Sequence, residues 1–141
     1  MSMNAAVPKI NEPANTRAVL KIAKNAALFR SMQRATLTDL VERSRHVFYE
    51  TGDIIVCQGA SRTDDDAGVY LVLAGRVRVQ QAHESPAAKP LAELGPGEIF
   101  GELAILEMQP RSATVIAAEP TSCLKVSGAD FLNALKQSNI S

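Results

Sequence analysis

The chain has 141 residues, enough for one domain with its own hydrophobic core and too few for two ordinary domains. Lysine and arginine together number 15, as do aspartate and glutamate, so the chain lacks the broad positive field that drives nonspecific binding to nucleic acid. No apolar run approaches the roughly 20 residues of a membrane-spanning helix, and the first residues lack the pattern of a signal peptide. These observations disfavour nucleic-acid binding and membrane insertion, and they predict a cytoplasmic protein.

The first third of the chain is predicted to be helical. Residues 1–15 contain prolines and little periodicity, so we expect a flexible segment there and a single domain over residues 16–141. Thr16 is expected to cap a first helix, in which small apolar residues recur at helical spacing up to Ala27. Thr36 is expected to begin a second helix. Apolar faces this modest favour packing on the same domain, although the two helices can instead form a partner surface.

A change to alternating apolar and polar residues after His46 predicts β-strands through the middle of the chain. About eight short strands are separated by turn residues, and residues 69–79 are expected to form a hairpin around Gly75. Residues 81–90 are expected to form a surface loop, and Ser127 is expected to cap a short final helix. The predicted fold class is mainly β: an eight-stranded antiparallel β-roll, similar to a jelly roll, with N-terminal helices and a short C-terminal helix.

The candidate site lies in residues 100–115, and two glycines precede its Glu102. Gly97 and Gly101 allow tight backbone turns and the close approach of a ligand, because neither has a Cβ. Glu102 can only accept hydrogen bonds, which suits a ligand hydroxyl, whereas the guanidinium of Arg111 offers a planar fork of donors that matches phosphate oxygens. Taken singly, these two residues are more typical of an exposed loop carboxylate and a surface arginine. Their joint placement favours one site for a phosphate and a sugar.

The histidines and cysteines do not indicate a metal site. Metal-dependent enzymes on similar β-rolls need clustered histidines and carboxylates, whereas His46 and His83 are the chain's only histidines and are expected at ordinary surface positions. Cys57 and Cys123 lack the spacing of metal ligands, which favours two buried thiols in a reducing compartment. We therefore expect no metal, no catalytic residue, and a binding module rather than an enzyme.

With these residues, the sequence resembles the cyclic nucleotide-binding domain, the module shared by protein kinase A regulatory subunits, cyclic-nucleotide-gated channels and the bacterial catabolite activator protein. The resemblance runs from about residue 28 to residue 131. Its motifs are Leu-Phe-Arg at 28–30, Gly-Asp-Ile-Ile at 52–55, Gly59, Tyr-Leu-Val-Leu-Ala-Gly-Arg-Val at 70–77, and Leu-Gly-Pro-Gly at 94–97. The most specific motif is the phosphate cassette, Phe-Gly-Glu-Leu-Ala at 100–104 followed by Pro-Arg-Ser-Ala-Thr-Val at 110–115.

The resemblance implies a ligand-binding set that consists of Phe100, Gly101, Glu102, Leu103, Ala104, Arg111, Ser112 and Ala113. Arg111 is expected to neutralise the cyclic phosphate, and Glu102 to accept a hydrogen bond from the ribose 2′-hydroxyl. The backbone amides near Leu103 and Ala104, at the start of a short helix, are expected to donate to the phosphate or the sugar. Ser112 stands where a threonine in the family accompanies preference for the guanine nucleotide. The serine therefore favours cyclic AMP as ligand, with cyclic GMP as the alternative and no further cofactor.

The C-terminal end departs from the family, in which a longer helix follows the last one and closes as a lid over the base. This chain ends about ten residues after Phe131, so we expect the lid to be missing or reduced to a stub at residues 136–141. The base is then open, or it is covered by another subunit or by the N-terminal helix. We therefore do not expect the helix-turn-helix of a catabolite-activator-type regulator in these residues.

The leading interpretation is a stand-alone cyclic-nucleotide sensor, whose output passes in trans to a protein effector or through a homo-oligomer. One alternative is a ligand-free structural or interaction domain of the same fold, although an intact Glu102 and Arg111 argue against it. The remaining alternative is a fragment of a longer protein.

Overall fold

The computed structural model of the chain describes residues 13–57, 59, 68–81, 89–107 and 113–138. Its elements follow in chain order: α1 (Pro13–Ala23), α2 (Ala27–Arg30), α3 (Arg34–Arg43), β1 (Arg45–Tyr49), β2 (Ile54–Val56), β3 (Gly68–Ala74), β4 (Val77–Gln81), β5 (Lys89–Leu94), β6 (Ile99–Phe100), α4 (Glu102–Leu106), β7 (Thr114–Ala117), β8 (Thr121–Ser127) and α5 (Gly128–Ser138). These strands form two four-stranded antiparallel sheets, with the order β1-β8-β3-β6 in the first and β2-β7-β4-β5 in the second. The predicted antiparallel β-roll with N-terminal helices and a C-terminal helix is confirmed.

Two hydrophobic cores lie on the two faces of the first sheet. Because side chains alternate along a strand, Val69 and Leu71 of β3 point to one face, and Tyr70 and Val72 point to the other. The first pair packs with residues of all five helices in what we call the helix-side core. The second pair packs with residues of the second sheet in the inter-sheet core. Burial on both faces explains why β3 is a continuous apolar run rather than an alternating one.

Helix α1 begins earlier than its expected capping residue. It starts at Pro13, so residues 13–15 of the expected flexible segment are helical. Thr16 lies inside the helix and is not its cap. Proline fits the first turn of a helix, because its missing N–H would have no intrahelical partner there and its φ is already close to helical. The rest of the expected flexible segment, residues 1–12, lies outside the described residues.

The second predicted helix also begins earlier. It is α3, which starts at Arg34 after Gln33 in an extended conformation, and it follows the additional single-turn helix α2, whose Phe29 is buried. Thr36 lies inside α3, with its hydroxyl 3.4 Å from the side-chain oxygen of Gln137 in α5. Thr36 therefore contacts another helix instead of capping its own.

Strands β3 and β4 do not form the predicted hairpin, because β3 belongs to the first sheet and β4 to the second. Gly75 between them has a φ of +93°, and a Cβ there would lie 2.4 Å from the carbonyl oxygen of Pro120. The β3–β4 turn thus packs directly against the β7–β8 turn while the chain crosses from one sheet to the other. The alternating sequence pattern indicates strands, but it does not indicate which strands are paired.

The C-terminal helix α5 begins as predicted, since Ser127 Oγ accepts a hydrogen bond from the backbone N–H of Asp130 at 3.1 Å. It continues to Ser138, so the described part of the expected stub is the last turn of the same helix. The expected surface loop is also revised at its ends, because residues 81, 89 and 90 belong to β4 and β5. A proline is compatible with β5, which lies at the edge of its sheet.

Candidate functional site

A cleft of about 190 Å³ is lined by residues of both sheets and of helix α4. The members of the predicted ligand-binding set that line it are Phe100, Gly101, Glu102, Leu103, Ala104 and Ala113. Arg111 and Ser112 lie outside the described residues. The cleft is completed by Val56, Val79, Ile99 and Val115. The structure thus brings both described ends of the cassette together, and the role of these residues in binding stays a prediction.

Helix α4 begins at this cleft. Gly101 precedes it with a φ of +89°, a left-handed conformation that glycine adopts without strain, so the predicted tight turn is confirmed. Glu102 is the first residue of the helix, and Leu103 and Ala104 complete its first turn. Backbone amides in the first turn of a helix have no acceptor within the helix, and they favour a negatively charged group in front of them. The short helix implied by the resemblance is therefore present and faces the cleft with its first turn.

Gly97 also has a positive φ, of +90°, but its missing side chain serves packing within the protein. A Cβ at Gly97 would lie 2.7 Å from the Cβ of Asn25 in the connection between α1 and α2. The backbone N–H of Gly97 donates to the carbonyl oxygen of Val72 at 2.9 Å. The predicted turn is confirmed, whereas the close approach at this glycine is that of Asn25 and not of the cleft.

Glu102 also lines a second, more open cleft of about 300 Å³. This second cleft lies between residues 97–99 and residues 25–28, which belong to the α1–α2 connection and to the start of α2. Ile99 and Glu102 line both clefts. Glu102 is half-buried in a helix and is therefore not the exposed loop carboxylate that its sequence position alone suggests. The segment from Ile99 to Glu102 separates the N-terminal helices from the candidate site.

The aliphatic wall of the cleft was missed by the sequence analysis. Val56, Val79 and Val115 come from three strands of the second sheet. Their places in apolar strand segments indicate that they face the interior, but the sequence does not distinguish packing against another side chain from lining a cleft. Leu103 is 55% exposed at the same cleft. An apolar wall with few polar groups is typical of a small-molecule site.

Two of the remaining chemically reactive side chains differ from expectation. His46 is half-buried in β1, not an ordinary surface residue; burial lowers its pKa to about 4, and its Nδ1 has no hydrogen-bond partner among the described residues. Cys123 is buried as expected, and its burial raises its pKa to about 12. Cys57 is exposed, so the prediction that it is buried was wrong. His83 lies outside the described residues.

In the part of the chain that the structure describes, no three or more potential metal ligands are grouped. No helix in that part has the length and apolar character to cross a membrane.

The chain is similar to proteins of one family. The sequence pattern of the cyclic nucleotide-binding domain matches residues 46–138. The cyclic AMP receptor protein of Thermus thermophilus is 32% identical over 114 residues, which cover 81% of this chain and 51% of that protein. The regulatory domain of Toxoplasma gondii PKA, crystallised with cAMP, has a TM-score of 0.80 at 21% identity. The match covers 90% of this chain and 47% of the Toxoplasma chain. The catabolite activator protein of Thermus thermophilus has a TM-score of 0.64 at 30% identity. This match covers 78% of this chain and 50% of that protein's chain.

The matched region extends from β1 to the end of α5 and therefore contains every described residue that lines the cleft. The chain spans about half the length of the three relatives. The Toxoplasma structure is too distant in sequence to support more than the fold. The family pattern, in contrast, covers most of this chain and includes the cassette. The chain belongs to the cyclic nucleotide-binding domain family.

Proposed function

We propose that this domain is a sensor that binds cyclic AMP in the cleft beside α4 and catalyses no reaction. The observation that carries the proposal is that residues 100–104 and Ala113 line one cleft, although the segment that holds Arg111 separates them in sequence. A cassette whose two ends meet can surround a single ligand. The relative named as a cyclic AMP receptor protein supports the same class of ligand.

In the proposed contacts, one charged side chain binds the phosphate of the ligand and another binds its sugar. Arg111 pairs with the cyclic phosphate, because a guanidinium offers two parallel donors to phosphate oxygens in a charge-assisted contact. Glu102 accepts a hydrogen bond from the ribose 2′-hydroxyl, and the amides of Leu103 and Ala104 donate to the phosphate or the sugar. A carboxylate so close to an anionic ligand needs a compensating positive charge, which explains why the cassette includes both residues.

The proposed position of the purine is the aliphatic side of the cleft. Val56, Val79 and Leu103 offer apolar surface to the flat base or to the carbon face of the ribose. Ser112 favours cyclic AMP over cyclic GMP by the family's pattern, and cyclic GMP is the alternative ligand. The proposal includes no metal and no further cofactor.

The proposed output passes in trans to a protein effector, with a homo-oligomer as the alternative route and the cytoplasm as the location. The chain spans about half the length of its relatives, so their activities as whole proteins are not assigned to it.

The proposal is tested by thermal unfolding of the protein with cyclic AMP, cyclic GMP and linear 5′-AMP, each at saturating concentration. A ligand that binds only the folded state raises the melting temperature. We expect the largest shift with cyclic AMP, a smaller shift with cyclic GMP, and almost none with 5′-AMP, whose phosphate has a different shape and charge. An unchanged melting temperature with both cyclic nucleotides would reject the sensor and favour the ligand-free structural domain.

A further inference from the structure

A row of four residues crosses the face of the first sheet that is directed towards the inter-sheet core, and it ends at the candidate site. Arg45 of β1 pairs with Lys125 of β8, Lys125 pairs with Tyr70 of β3, and Tyr70 pairs with Phe100 of β6. Residues paired across neighbouring strands have their side chains on the same face and in contact distance. The last member of the row, Phe100, lines the cleft. The row therefore connects the far edge of the sheet with the wall of the candidate site.

Tyr70 is the central contact of this row. Its ring stacks on that of Phe100 with 4.9 Å between the centroids and 2° between the ring planes. The Nζ atom of Lys125 lies 5.7 Å from the centroid of the Tyr70 ring, a distance at which a cation is attracted to an aromatic face. Tyr70 also shares a side-chain hydrogen bond with Tyr49, which is one cause of the raised Tyr49 pKa, after burial and nearby charges. With 1% of its surface exposed, Tyr70 is held from several sides.

The strand that carries Phe100 depends on this support. β6 has only two residues, and its hydrogen-bonded neighbour among the described strands is β3. So short an edge strand is weakly fixed by its backbone ladder. Gly101 follows Phe100 with its left-handed turn, and Glu102 begins α4 immediately afterwards. The placement of Phe100 thus decides where the Glu102 carboxylate and the first amides of α4 lie.

We propose that Tyr70 is a positioning residue for the ligand site, which acts through its stack on Phe100 to place Glu102 against the ribose. Tyr70 itself does not line the cleft. The inference rests on the proposed cyclic-nucleotide function, because it assigns the Tyr70 ring an effect on the contact between Glu102 and the 2′-hydroxyl. A merely structural Tyr70 would change the stability of the fold without changing which ligand groups the folded protein recognises.

The experiment compares Tyr70→Leu and Tyr70→Phe with Val69→Ala by titration calorimetry at low temperature. Val69 is the neighbouring residue in β3, is fully buried, and points into the helix-side core, so Val69→Ala is a control for lost core packing. The ligands are cyclic AMP and 2′-deoxy-cyclic AMP, and circular dichroism verifies that each variant is folded. If Tyr70→Leu does not fold, Tyr70→Met, whose unbranched and flexible side chain adapts better to the space left by the ring, takes its place.

We expect Tyr70→Leu to weaken cyclic AMP binding by about tenfold and 2′-deoxy-cyclic AMP binding by about threefold or less. Tyr70→Phe keeps the stacked ring and should stay within about twofold of the wild type for both ligands, as should Val69→Ala. An equal loss for both ligands, or no loss in Tyr70→Leu, overturns the inference while leaving the proposed function intact. A wild-type protein that binds neither ligand overturns both.

Discussion

Thr121 Oγ1 accepts a hydrogen bond from the backbone N–H of Arg76 at 3.2 Å, and this bond joins the start of β8 to the turn between β3 and β4. The same hydroxyl lies 2.7 Å from the carbonyl oxygen of Glu119 and 3.0 Å from that of Arg76. Thr121 is 2% exposed. Glu119 lies in the turn between β7 and β8, and this turn and the β3–β4 turn each carry the chain from one sheet to the other. The buried hydroxyl of Thr121 therefore connects the two turns.

Replacing Thr121 by valine should destabilise the fold, because valine has nearly the same shape but leaves the Arg76 N–H without this acceptor. A buried donor that loses its partner costs about 1–3 kcal/mol. Thr121→Ser keeps the hydroxyl and loses only a methyl group, so it should be more stable than Thr121→Val. Urea unfolding followed by circular dichroism measures both variants. A Thr121→Val protein as stable as the wild type would show that the hydroxyl is not needed at this corner.

Gly75→Ala should destabilise the protein more than Gly52→Ala. Both glycines have φ near +90°, so each alanine adds a left-handed strain of about 1–2 kcal/mol. A Cβ at Gly52 meets nothing within 4 Å, whereas at Gly75 it would lie 2.4 Å from the Pro120 carbonyl oxygen. We expect a further loss of about 1–3 kcal/mol at Gly75 from this overlap. Equal unfolding free energies for the two variants would contradict the tight crossing between the sheets.

These turns mark where prediction from the sequence stops. The eight strands, the capping of α5 by Ser127 and the turn at Gly101 were predictable, because each depends on residues close together in the sequence. The pairing of β3 with β8 instead of β4 was not, since it depends on contacts such as that of Gly75 with Pro120. The space at Gly97 was likewise attributed to a ligand, whereas Asn25 from a distant helical connection occupies it.

The candidate site likewise has residues that could be predicted from the sequence and contacts that could not. The resemblance named a set of site residues, and those within the described part of the chain line one cleft. The valines of the opposite wall and the stack of Tyr70 on Phe100 were not predicted. They depend on how the two sheets face each other, and an alternating pattern gives only the buried face of each strand.

His46 should make the protein less stable as the pH falls below neutrality. Its pKa in the folded protein is about 4, below the ordinary value of 6.5, because burial disfavours the charged ring. Between these values the unfolded chain binds a proton that the folded chain does not, so stability decreases as the pH falls from 6.5 towards 4. After allowance for solvent screening, the loss is on the order of 1 kcal/mol.

The measurement for His46 is urea unfolding at pH 7.5 and at pH 5.0. The difference between the two pH values should be smaller in His46→Gln than in the wild type. A His46→Gln protein that keeps the full wild-type difference would assign the pH dependence to other groups.

Glu102→Gln should weaken cyclic AMP binding by about tenfold, because a neutral amide is a weaker acceptor for the ribose hydroxyl than a carboxylate. Binding of 2′-deoxy-cyclic AMP should change little, since that ligand has no hydroxyl to offer. Glu107→Gln is the matched control, because Glu107 follows the same helix α4 and does not line the cleft. Equal losses for the two ligands in Glu102→Gln would reject the proposed contact.

Arg111→Ala should weaken cyclic AMP binding by at least about tenfold, or about 1.4 kcal/mol, because the cyclic phosphate would lose its charge-assisted partner. Arg111→Lys should lie between alanine and the wild type, since lysine keeps the positive charge but lacks the planar fork. Arg43→Ala removes an exposed arginine that pairs with Asp39 and serves as the control for net charge. Titration calorimetry at one salt concentration compares all three. If Arg111→Ala binds cyclic AMP as the wild type does, the phosphate is held elsewhere and the proposed site is wrong.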